Sequence, residues 1–260
     1  MSQDFSKRDT SSTFAKGMAV LRAFDDSHTR LTLAEVARIT DLDRATVRRL
    51  VLTLVDLGYV YRSEKHFSLS PKVLTLAGSF LRGHRFGTVV QPLLNRYAER
   101  VRSPVSLAIV DAQHAVFVAQ STLPDSGITF GFTVGSKLPL LHTAIGRALL
   151  SAGDSVWSGE AIATIPFQRY TPATVTNRRA IKKSVAECRD AGHAIVSNEF
   201  EPDVTGLAVP VNTPGGMVAA VGTSRPGTDV RSISAQNKIV APLKQLATEL
   251  VRSGIFSHGS

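Results

Sequence analysis

Arg44, Arg48 and Arg49 lie close together in the stretch Asp43-Arg-Ala-Thr-Val-Arg-Arg-Leu-Val-Leu-Thr-Leu54, and the chemistry they offer is recognition of a polyanion rather than catalysis. A guanidinium is a planar fork of donors that matches guanine O6 and N7 in a bidentate pair. On a helix beginning after Asp43, steps of about 100° per residue put Ala45, Arg49 and Leu52 opposite the Val47, Leu50 and Leu54 stripe, with Thr46, Arg48 and Thr53 on its flanks. The candidate DNA-contacting residues are therefore Arg44, Ala45, Thr46, Arg48 and Arg49. Groups with the means for covalent chemistry are poorly supported. His142 and the Ser224-Arg225 pair suggest hydrolysis, but no G-x-S-x-G elbow, H-E-x-x-H or P-loop accompanies them. Thr213-Pro-Gly-Gly216 lacks the Lys-Ser/Thr of a phosphate cradle and reads as a hairpin turn. Cys188 is the single cysteine, so neither a disulfide nor a thiolate zinc cluster is expected. The expectation is no enzyme, with no catalytic residue, metal site or cofactor.

The elements that must position the arginines lie between Leu31 and Ser70. Thr32 followed by Glu35 is a capping-box start, and Leu33, Val36 and Ala37 give one face of a short helix. Asp41-Leu-Asp43 interrupts it, Asp43 caps the arginine-bearing helix, and Gly58 ends that helix. Tyr59–Arg62 and Phe67–Ser70 then alternate as a strand pair, a wing whose Arg62 and Lys65 suit phosphate contacts. A preceding helix through Phe14, Met18, Leu21 and Phe24 completes a three-helix winged module.

A chain of 260 residues with a formal net charge of +9 is long enough for two domains and favours a polyanionic partner. It contains no run of 18 apolar residues, and Met1-Ser-Gln-Asp-Phe5 lacks the basic start and apolar centre of a signal peptide. A cytoplasmic protein with no membrane partner is expected. The division expected is a disordered arm over 1–12, a winged helix-turn-helix domain over 13–70, a linker helix over 71–86 opening on Ser70-Pro71, and a further domain over 87–254.

That last domain reads as α+β with antiparallel strands. A helix ends before Pro104, and strands are expected at Val105–Val110, Ala115–Gln120 and Ile128–Val134. Thr143–Ser151 is a short helix, Trp157–Tyr170 is ambiguous, and Thr176 or Asn177 caps a helix that Gly192 terminates. His193–Ser197, Val204–Asn212 and Met217–Ser224 complete the strands, the last two joined at Thr213–Gly216, and a helix kinked at Pro242 runs from Ser232 to Arg252.

Taken together, Lys16–Phe24, Leu33–Val60, Leu69–Leu74, Gly135–Pro139 with Ile145–Ala148, Gly206–Val211 and Ala219–Ser224 resemble a bacterial IclR-family transcriptional regulator over nearly the whole chain. The resemblance implies a dimerising winged helix-turn-helix that reads palindromic double-stranded operator DNA, a linker helix and a C-terminal GAF-like domain that binds a small organic effector. It also implies a homodimer or a dimer-of-dimers tetramer, and leaves RNA polymerase open as a further partner. Thr46–Leu54 followed by Leu57-Gly-Tyr-Val60 is similar to the branch regulating protocatechuate and β-ketoadipate catabolism, so an aromatic acid or its ring-cleavage product is the favoured effector class.

Carried over by motif, the effector contacts are Ala144, Ile145, Ser197, Val204, Gly206, Gly222 and Ser224. Ala144, Gly206 and Gly222 leave room, Ile145 and Val204 are walls, and Ser197 and Ser224 are hydroxyls for a carboxylate. His142, Arg147 and Arg225 are cations nearby in sequence; for Arg147 a solvated surface position is at least as good a reading. Members of the family that bind very small keto acids carry polar residues, including Cys, where this chain has Val204, Gly206 and Gly222. That departure argues against a glyoxylate-sized ligand, the alternative being a regulator of another carbon pathway. A purely architectural DNA binder would leave the large second domain unexplained.

Overall fold

A computed structural model describes residues 10–25, 27–122, 132–213 and 217–256. The chain divides between Phe80 and Leu81 into two compact units. In the first, α1 (Ser12–Arg22), α2 (Leu33–Thr40) and α3 (Arg44–Asp56) are followed by β2 (Val60–Ser63) and β3 (His66–Leu69). The two-residue strand β1 (Leu31–Thr32) joins β3 on its other edge, pairing Leu31 with Phe67.

Each of these three helices starts where a short polar side chain can take the N–H groups that the first turn leaves without partners. Ser11 caps α1, so Ser12, assigned above to the arm, is already helical, while residues 1–9 of that arm lie outside the described residues. Thr32 and Glu35 form the reciprocal capping box on α2, and Asp43 Oδ1 accepts from Thr46 N–H at 2.8 Å on α3. Gly58 closes the end of α3 at φ +76°, a conformation that costs a residue with a Cβ. The core is made by Val20, Val36, Val47 and Val51, all fully buried. Each contributes about 1.5–3 kcal/mol relative to exposure. Helix α4 (Val73–Gly83) leaves this unit.

In the second unit a π-helical turn, Phe86–Val90, feeds α5 (Gln91–Val101). One antiparallel sheet then gathers β4 (Ser106–Asp111), β5 (His114–Gln120), β6 (Lys137–Pro139), β7 (Ala194–Ser197), β8 (Val204–Val211) and β9 (Ala219–Pro226) in the order β6-β5-β4-β9-β8-β7. Between β6 and β7 lie α6 (Ala144–Ala152), α7 (Ser155–Thr164) and α8 (Arg178–Ala191), and α9 (Ile233–Arg252) closes the fold. Both faces of the sheet are covered, which is why β8 is almost continuously apolar instead of alternating. Leu107, Leu207, Val209 and Val221 pack with Leu94 and Tyr97 of α5 and Leu243 and Leu246 of α9. On the opposite face, Ala108, Phe117, Val196, Ala208 and Ala220 pack with α6 and α8. The side chains facing α6 are small, so the helix comes close to the sheet. At Gly146 a Cβ would lie 2.3 Å from the Leu140 carbonyl oxygen, an approach only glycine permits.

Several expectations change. Of the strand placed at Ile128–Val134, residues 128–131 lie outside the described residues and 132–134 are not extended into the sheet; the strand is β6. The ambiguous stretch begins with a helix, α7, capped by Asp154. Residues 214–216 of the expected hairpin lie outside the described residues, although β8 and β9 pair in register from Val204 with Pro226 to Val211 with Ala219. Helix α9 spans Ile233–Arg252 with Pro242 inside it, as its periodicity predicts.

Candidate functional site

The first candidate surface is the amino-terminal end of α3. Hydrogen bonds from the Thr46 side chain and backbone hold the Asp43 carboxyl below its ordinary range, so the cap is ionised at neutral pH. Burial of Val47 and Val51 fixes the rotation of the helix, leaving Arg44, Ala45, Arg48 and Arg49 exposed and Thr46 half-buried. Among the described residues no carboxylate pairs with those three arginines. On the wing Arg62 and Lys65 are exposed, and Arg62 Nε donates to the Glu64 carbonyl oxygen at 3.3 Å.

The second candidate is a cavity of about 100 Å³ between α6 and the sheet. Engineered apolar cavities of about 150 Å³ hold benzene, so this space is on the scale of a single ring. Sheet register assembles its floor: Val196 pairs with Gly206, Gly206 with Ser224, and Ser106 with Gly222. Ala144 and Ile145 on the first turn of α6 form one wall, and Phe117, Phe132 and Phe200 add aromatic surface. Thr143 caps α6, its Oγ1 accepting from Gly146 N–H at 3.0 Å. The N–H groups of the first two helical residues have no partner within the helix and point out of its amino end, where the helix dipole favours negative charge.

Of the seven positions carried over by motif, six line this cavity: Ala144, Ile145, Val204, Gly206, Gly222 and Ser224. Ser197 does not. It pairs with Thr205, one step from the Val196–Gly206 pair, so strand alternation turns it to the opposite face, where it is exposed and its Oγ lies 2.8 Å from Thr205 Oγ1. Gly206 supplies more than room. A Cβ there would come within 3.1 Å of Ala144 Cβ, so the glycine also lets β8 approach α6.

The three nearby cations separate. Arg225 lies outside the cavity, donating to the Arg102 carbonyl oxygen at 2.6 Å and approaching Asp229 at 3.7 Å. Arg147 is not a surface arginine; it is 4 % exposed, with Nη2 2.7 Å from Glu199 Oε2, Nε donating to the Leu141 carbonyl and Nη1 to Ser184 Oγ. His142 alone of the three lines the cavity. Its ring is 2 % exposed, packs against Phe167 and Tyr170, and has no hydrogen-bond partner on either nitrogen among the described residues. Nδ1 lies 3.8 Å from Glu199 Oε2. Glu201 also lines the cavity, and burial pushes its carboxyl above the ordinary range. Sequence reasoning missed Glu199, Glu201 and the three phenylalanines; carboxylates and aromatics so scattered carry no periodic signal.

Residues 79–252 match the family described as the bacterial transcriptional regulator IclR C-terminal domain, and residues 13–64 match the IclR helix-turn-helix domain. The chain is 30% identical over 212 residues, 82% of its length and 73% of the relative's, to the Pca regulon regulatory protein of Pseudomonas putida. It is 29% identical over 254 residues, 96% and 94% of the two chains, to the p-hydroxybenzoate hydroxylase transcriptional activator of Acinetobacter baylyi. A crystal structure of an IclR homologue from Microbacterium hydrocarbonoxydans complexed with 4-hydroxybenzoate is similar at a TM-score of 0.75 and 25% identity, covering 93% of this chain and all (100%) of that one. These are regulators and not enzymes. With both of its units matched, this chain belongs to the IclR family of bacterial transcriptional regulators.

Proposed function

We propose that this regulator reads a palindromic operator with Arg44, Ala45, Thr46, Arg48 and Arg49, holds phosphate with Arg62 and Lys65, and changes its DNA affinity when a small aromatic or ring-derived organic acid enters the α6 cavity. The observation that carries the effector half is the cavity itself: ring-sized, mostly apolar, and closed on one side by the amino end of a helix, a ready anion site. The names of the Acinetobacter relative and the Microbacterium complex point to the same ligand class. On α1, Phe14 and Met18 are exposed one turn apart, which supports association through that helix as a homodimer or dimer of dimers. The reading includes a linker role for α4, action in the cytoplasm and RNA polymerase as a further partner; among the described residues no helix is long and apolar enough to cross a membrane.

The test is titration of a duplex selected from a random pool, with and without protocatechuate, 4-hydroxybenzoate, β-ketoadipate or glyoxylate. A ligand shifts DNA affinity only by its differential affinity for the two states, and the shift is reciprocal. A shift with a ring or six-carbon acid is expected. A response to glyoxylate alone would overturn the ligand class, and no response to any would overturn the coupling.

A further inference from the structure

We infer that His142 selects effectors that carry a hydroxyl group, accepting a hydrogen bond from the ligand O–H on its Nε2. This rests on the acid-binding reading above and specifies what else the acid must bear. A buried polar atom without a partner is costly, and in a native protein it calls for an occupant. His142 has two such atoms, and the residue lines both the α6 cavity and a second space that Gln113 and Gln168 also line. The ring packs against Phe167 and Tyr170, with centroids at 5.8 and 5.6 Å, and among the described residues neither nitrogen is hydrogen-bonded, so a bond from a ligand to Nε2 would displace no protein hydrogen bond.

Its neighbours decide the role. The Glu199 carboxylate, already held by Arg147 and by Val175 N–H, sits 3.8 Å from Nδ1 and favours the tautomer with the proton on that nitrogen. Nε2 is then an acceptor. The Arg147 charge is consumed by Glu199, so it offers nothing to an anion in the cavity. The donors available to a carboxylate in the cavity include the N–H groups opening α6 and the hydroxyls of Ser106 and Ser224, so the acid group does not need the histidine, whose acceptor suits a donor on the ligand. A site that hydrogen-bonds a ligand hydroxyl rejects the analogue lacking it, because binding the analogue seals the acceptor away from any partner.

Calorimetry with 3- and 4-hydroxybenzoate, benzoate and 4-fluorobenzoate tests this on the full-length protein and its His142→Phe variant. Wild type is expected to bind the better hydroxybenzoate about 10- to 100-fold more tightly than benzoate or 4-fluorobenzoate. In His142→Phe the ratio should fall to within about threefold. Because the imidazole makes no hydrogen bond in the free protein, the variant should melt no lower than wild type; a purely structural histidine would lower the Tm and leave the ratio alone. If the variant fails to fold, His142→Gln, which keeps a side-chain acceptor, should preserve the preference. Equal wild-type affinity for benzoate and the hydroxybenzoates, or an unchanged ratio in a folded His142→Phe, would overturn the assignment. No binding of any of the four acids to wild type would instead overturn the acid-binding reading, and this inference with it.

Discussion

Arg147 and Glu199 meet at 2.7 Å beside the cavity, with 5 % and 8 % of their side chains exposed. The pair ties α6 to the segment after β7, and Glu199 also accepts from Val175 N–H at 3.3 Å. Removing one member of a buried pair strands the other charge. Arg147→Met should therefore destabilise the effector domain by about 3–5 kcal/mol, and Arg147→Met combined with Glu199→Gln should recover most of the loss. Urea unfolding of wild type and the two variants checks this; a double variant no better than the single would mean the two side chains are not coupled.

Gly206→Leu should abolish acid binding while leaving operator affinity of the unliganded protein within about twofold, since the side chain would begin 3.1 Å from Ala144 Cβ and extend into the cavity. Calorimetry and a DNA titration on the same preparation measure both properties. Retained acid binding would place the ligand elsewhere.

Arg49→Ala should weaken specific DNA binding by about 1–3 kcal/mol and relax sequence preference, because Arg49 lies on the exposed side of α3 beside its capped end. Arg62→Ala and Lys65→Ala should lose affinity about equally on operator and scrambled duplexes, each lowering the salt slope by about one. Equal loss on both duplexes for Arg49→Ala would reassign it to the phosphate backbone.

Glu249 on α9 accepts from the Tyr97 hydroxyl at 2.7 Å and pairs with Arg96; the tyrosine bond first, then the arginine, holds its carboxyl below the ordinary 4.5. A carboxylate favoured in the folded state stabilises the protein fully above its unfolded value, and the contribution disappears as pH falls through the lowered one. With the side chain 38% exposed, solvent screening keeps the contribution under about 1 kcal/mol. Thermal melts of wild type and Glu249→Gln should therefore converge as pH drops below 4.5 and differ above it. Parallel curves across that window would show that the ionised form is not favoured.

Local order was legible along the chain because its causes are local. The Thr32–Glu35 capping box, the Asp43 cap and the positive-φ glycines Gly58 and Gly192 each depend on residues within a turn or two, so spacing alone located helix ends. Exposure of Arg44, Arg48 and Arg49 followed in the same way from the helical period and the apolar stripe it leaves to the core.

What tertiary structure alone decided is which side chains share a space. Ser197 and Val196 differ by one position, yet only the pairing of Val196 with Gly206 determines which of them meets the cavity, and that register is a contact between strands. Burial is equally nonlocal. An arginine in Ile145-Gly-Arg147-Ala reads as well for solvent as for the core until Glu199, 52 positions later, is brought against it. The same convergence leaves His142 desolvated between Phe167 and Tyr170, a state that depends on three segments meeting and on no feature of any one of them.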